Sequence, residues 1–134
     1  MATHPPIILC VEDDPNLLEL RRLQFERAGY RVFTAGTPED ALRVCAREQI
    51  DLVLTDYQLP GMSGVALGWL LKRNQPDLPV VLVTGAPELE ADRRGVDLVL
   101  PKPMEARELL SAIGELLGPA QQYGMPVVED REQP

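Results

Sequence analysis

The chain has 134 residues, 45% apolar and 25% charged, so one globular domain with one core is the default. Its net charge of −8 excludes charge-driven, non-specific binding to nucleic acid. No apolar run reaches the roughly 18 residues that a membrane-spanning helix needs.

Residues 1–6 lack the charged and apolar regions of a signal peptide and are expected to form a flexible N-terminus. Their His4 is the only histidine, so no helix here can carry a phosphorylatable one. The run Ile7-Ile8-Leu9-Cys10-Val11 reads as a strand buried on both faces. Asp14-Pro15 marks a helix start, with Asp as cap and Pro at the first helical position. That helix is predicted over 15–28, with Gly29 as its stop. A second strand follows over 31–35. Thr37-Pro38-Glu39-Asp40 repeats the capping signal and opens a helix over 38–48.

The third strand is predicted over 51–56. Residues 57–63, with Pro60 and Gly61, read as a loop. A helix over 64–74, a strand over 79–84, a strand over 97–100 and a helix from 104 or 105 to 117 complete the pattern. Cys10 and Cys45 fall in apolar contexts without metal-ligand spacing; free thiols and a reducing cytoplasm are expected. Residues 7–118 thus form one domain. Residues 119–134 are polar and proline-containing, with Met125-Pro126-Val127-Val128 as their only apolar piece, and are expected to be a disordered tail.

Strand and helix alternate, and the strands are almost continuously apolar. This predicts an α/β fold with a five-stranded parallel sheet covered on both faces. Right-handed crossovers leave few topologies, and the doubly wound, flavodoxin-like order 2-1-3-4-5 is the one expected. It puts the first and third strands side by side at the switch point, where ligands bind.

Polar residues cluster at the C-terminal ends of these strands. Glu12-Asp13-Asp14 follows the first, Asp56 ends the third, Thr84 ends the fourth and Lys102 follows the fifth between Pro101 and Pro103. Two neighbouring carboxylates repel unless a cation lies between them. Mg²⁺ prefers oxygen ligands and retained waters. Asp13, Asp56 and a loop backbone carbonyl, that of Gln58, would be ligands, with Glu12 and Asp14 in the outer sphere. Asp14 is also a good helix cap. A strand-end carboxylate can be a nucleophile for phosphorus, leaving Lys102 and Thr84 to neutralise and bond the phosphoryl oxygens. Other strand-end Asp phosphatases and nucleases want Asp-x-Asp, which Asp13-Asp14-Pro15 and Asp56-Tyr57-Gln58 do not supply.

As a set, Val11-Glu12-Asp13-Asp14, Asp56 with Leu59-Pro60-Gly61-Met62-Ser63-Gly64, Val83-Thr84-Gly85 and Lys102-Pro103 resemble the receiver domains of two-component response regulators. The likeness runs over about residues 7–117. It implies the CheY-like fold with five helices and Mg²⁺ as cofactor. It also implies phosphorylation of Asp56 from a histidine kinase or histidine phosphotransfer protein, with slow self-catalysed loss of the acyl phosphate. A cis Lys102–Pro103 bond follows from the same likeness, as does a bacterial, cytoplasmic signalling role as a monomer or weak homodimer. Three departures stand out. The tail after the last helix is too short for a DNA-binding or enzymatic effector domain, so a stand-alone receiver is expected. The stretch between Thr84 and Lys102 is about a helical turn short, so the fourth helix is expected to be short or irregular. Val99 stands where the family carries an aromatic switch residue, so the change on phosphorylation is expected in residues 87–95. The alternatives are a phosphorylation-independent docking module, or a receiver piece of a larger hybrid kinase or regulator. The output protein is not legible.

Overall fold

A computed structural model describes residues 4–85 and 94–117. Five strands, Ile7–Val11 (β1), Arg31–Ala35 (β2), Leu52–Asp56 (β3), Val80–Thr84 (β6) and Leu98–Pro101 (β7), form one sheet. Its order is β2-β1-β3-β6-β7, with every pair parallel. This is the expected 2-1-3-4-5 order. A second, two-stranded sheet pairs Gln58–Leu59 (β4) with Met62–Ser63 (β5). Those residues were expected to be loop; they turn back on themselves through Gly61, whose φ of 83° suits glycine.

Four helices lie among the described residues: Pro15–Arg27 (α1), Pro38–Arg47 (α2), Gly64–Asn74 (α3) and Ala106–Leu117 (α4). The first three are capped by side chains, two of them at the Asp14 and Thr37 signals read from the sequence. Asp14 accepts from Asn16 N at 3.0 Å, Thr37 from Asp40 N at 3.1 Å and Ser63 from Ala66 N at 3.1 Å. Gly29, at φ 101°, follows the α1 cap Ala28.

Side chains of the central strands alternate between two apolar layers. Ile7, Leu9, Val11, Val53 and Val80 pack with Ala41 and Cys45 of α2 and Leu67 and Leu71 of α3. Ile8, Cys10, Leu52, Leu54, Val81 and Val83 pack with Phe25 of α1 and Leu109 and Ile113 of α4. Both faces are covered, so β1 and β6 are buried at all five positions. Cys10 and Cys45 are free thiols, one in each layer. Burial pushes their pKa values up to about 12 and about 11.

Pro5 and Pro6, expected within the flexible N-terminus, are buried, and the Pro6 carbonyl accepts from Arg31 N at 3.1 Å. The expected fourth helix and shift segment, apart from Arg94 and Gly95, and the tail 119–134 lie outside the described residues. No helix among those described is long and apolar enough to cross a membrane.

Candidate phosphoryl-acceptor site

Strand register assembles the site. Val11 is level with Thr55, so the residues just after β1 meet Asp56 at the end of β3. Asp56 is level with Val83, and Thr84 with Pro101, so Thr84 and Lys102 follow on the next two strands. The backbone holds these ends together: Glu12 N donates to Ala35 O at 3.1 Å, Tyr57 N to Val83 O at 3.0 Å and Lys102 N to Thr84 O at 2.9 Å.

Carboxylate oxygens of Glu12, Asp13 and Asp56 lie within 4.8 Å of one another, the one such acidic cluster among the described residues. Asp13 is exposed, the Asp56 side chain only 10% exposed and Glu12 buried. Burial pushes the Glu12 carboxyl above its ordinary range. Its bond from Asp14 N, at 3.2 Å, acts the other way, and the neighbouring Asp56 and Asp13 charges add to the rise. Lys102 Nζ pairs with Asp56 Oδ1 at 2.5 Å. Among the described residues, these three clustered carboxylates thus have Lys102 paired to one of them, Asp56. An all-oxygen donor set with excess negative charge fits a hard divalent ion such as Mg²⁺.

The remaining expected residues fall as follows. Thr84 is buried at the end of β6. Gln58 lies in β4, exposed and opposite Ser63. Asp14 stands outside the acidic cluster, with its side chain on the Asn16 N–H of α1. The Lys102–Pro103 peptide is cis, as the likeness implied. Val99 lies in β7 opposite Leu82 and is partly buried.

Two residues that sequence reasoning left without a role bear on Asp56. Gly64 opens α3 directly against it: a Cβ there would stand 2.3 Å from the Asp56 carbonyl oxygen. Thr55, fully buried, donates its hydroxyl to that same oxygen at 2.9 Å. Gly64 was visible only as a motif member, and Thr55 only as a strand former.

The response regulator receiver domain model matches residues 8–114. Transcriptional regulatory protein GlrR of Escherichia coli K12 is 33% identical over 98% of this chain and 30% of its own length. Transcriptional activator protein PfeR of Pseudomonas aeruginosa PAO1 is 39% identical over 95% of this chain and 43% of its own. The chain thus spans less than half of these relatives. Among solved structures, response regulator protein TrrA of Thermotoga maritima in complex with Mg²⁺-BeF superimposes with a TM-score of 0.77. It is 28% identical over 83% of this chain and 98% of its own. TrrA in complex with histidine kinase ThkA matches with a TM-score of 0.76, at 29% identity over 84% of this chain and 98% of that one. With the matched motifs gathered at one sheet edge, the chain belongs to the response regulator receiver domain family.

Proposed function

We infer that this chain is a phosphorylation-dependent switch in a two-component pathway, with Asp56 as the acceptor. The observation that carries this reading is the pairing of Lys102 with Asp56 beside the Glu12–Asp13–Asp56 cluster. The donor is the phosphohistidine of a sensor kinase or phosphotransfer protein, a reading supported by the kinase complex of the similar TrrA. An Asp56 carboxylate oxygen attacks phosphorus. The P–N bond breaks, and its electron pair returns to the imidazole nitrogen.

Mg²⁺, held by Asp13, Asp56 and the Gln58 carbonyl with Glu12 and Asp14 behind waters, would neutralise charge on the phosphoryl oxygens. Lys102 exchanges its carboxylate partner for a phosphoryl oxygen. The Thr84 hydroxyl donates to another. Water later cleaves the acyl phosphate, so the protein resets itself. Output is a change in affinity for a partner protein between the two states. Val99 is stiff at χ1 and cannot make the swing of an aromatic ring, which keeps a phosphorylation-independent docking role as the second reading.

Incubation with phosphoramidate, a P–N donor like phosphohistidine, tests the first reading. A hydroxylamine-labile phosphoryl group that requires Mg²⁺ is the expected product. Its absence, with the fold intact, refutes the switch and leaves the docking role.

A further inference from the structure

We propose that Thr55 is a positioning residue: its buried hydroxyl, with Gly64 behind it, sets the Asp56–Tyr57 peptide and so the spacing of the metal ligands. This rests on the reading of Asp56 and Gln58 as ligands. In Leu52-Val53-Leu54-Thr55, three apolar side chains precede one hydroxyl, and all four are buried. Valine has the same shape, so packing alone does not call for an oxygen there. A buried hydroxyl is costly unless bonded.

The bond it makes is specific. Thr55 Oγ1 donates to Asp56 O at 2.9 Å. The other end of that peptide unit, Tyr57 N, donates to Val83 O at 3.0 Å. The next carbonyl, Tyr57 O, accepts from Gly64 N at 2.7 Å. From the α3 side, an added Cβ at Gly64 would stand 2.3 Å from Asp56 O and 3.1 Å from Thr55 Cγ2. The peptide is thus fixed at both ends and closed in at its carbonyl. It joins the Asp56 Cα, which carries the carboxylate, to the two residues leading to the Gln58 carbonyl. Rotating it moves one ligand relative to the other.

Calorimetric titration with Mg²⁺ alone, without phosphodonor, reads this geometry, alongside thermal melts. Thr55→Val is expected to weaken Mg²⁺ binding by about tenfold, the usual cost of losing a group that orients a ligand. Thr55→Ser, which keeps the hydroxyl, should stay within about twofold of the parent. If Thr55→Val fails to fold, Thr55→Ala, which has no donor and differs from Thr55→Ser by the hydroxyl alone, takes its place with Thr55→Ser as its reference. Unchanged Mg²⁺ affinity in the variant overturns the proposal. So does a lower melting temperature with fewer binding-competent molecules of unchanged affinity, which marks a packing role alone. If Asp13→Asn also leaves Mg²⁺ binding unchanged, the metal-site reading itself has failed.

Discussion

Gly64→Ala separates steric contact at Asp56 from ordinary helix propensity. Gly64 is not among the glycines with positive φ, which are Gly29 and Gly61, so alanine can adopt its backbone conformation. The added methyl would meet Asp56 O at 2.3 Å, Leu82 Cδ1 at 2.7 Å and Thr55 Cγ2 at 3.1 Å. The leucine methyl can move; the carbonyl belongs to the strand and cannot move without shifting Asp56. Overpacking of this kind costs about 2 kcal/mol. For a domain of this size that is a fall of about 8 °C in melting temperature. Gly114→Ala is the matched control. It lies inside α4, where a Cβ meets only Tyr30 Oη at 4.0 Å. Relief of glycine's backbone entropy should stabilise that variant by about 0.5–1 kcal/mol. Thermal melts by circular dichroism give both numbers. If Asp56 is the acceptor as proposed, the phosphorylation rate of folded Gly64→Ala should fall too, because the Asp56 peptide is displaced. A Gly64→Ala protein that melts with the parent and phosphorylates normally refutes the close approach of α3 to Asp56.

Three further outcomes follow from the site and the core. Lys102→Met should slow phosphorylation by about 100-fold, the usual loss for one charge-stabilising donor, with the fold kept; an unchanged rate in a donor time course removes Lys102 from the reaction. Glu12→Gln, by removing a charge from a crowded and largely buried cluster, should raise the melting temperature without Mg²⁺ and shrink the rise that Mg²⁺ produces; a fall in melting temperature without Mg²⁺ contradicts that account. Cys10 and Cys45, buried with raised pKa values, should react with a thiol reagent at neutral pH only after urea is added. Rapid labelling of the native protein counts against their burial.

The fold was legible where one physical signal dominated. Val80–Thr84 and Ile7–Val11 are buried on both faces, so their apolar runs could not belong to a surface element. Asp14 and Thr37, each followed by proline, fixed two helix starts to the residue. Gln58–Leu59 and Met62–Ser63 were missed because two-residue strands are too short for a side-chain period, and their pairing depends on the turn at Gly61. The proximity of Asp13 to Asp56 was readable once the strand order was chosen. The burial of Glu12 was not. It follows from the chain holding Glu12 N on Ala35 O and turning back so that Asp14 N meets the Glu12 carboxylate. Thr55 was hidden because threonine is an ordinary strand residue, and its hydroxyl finds Asp56 O only once the strand end and α3 are folded together.

Intact-mass measurement after incubation with acetyl phosphate and Mg²⁺ tests the central claim most directly, run on the parent chain and on Asp56→Asn. One added phosphoryl group on the parent, absent without Mg²⁺ and absent from Asp56→Asn, is the predicted result. Equal labelling of the folded Asp56→Asn protein, or none on the parent, would contradict the assignment of Asp56 as acceptor.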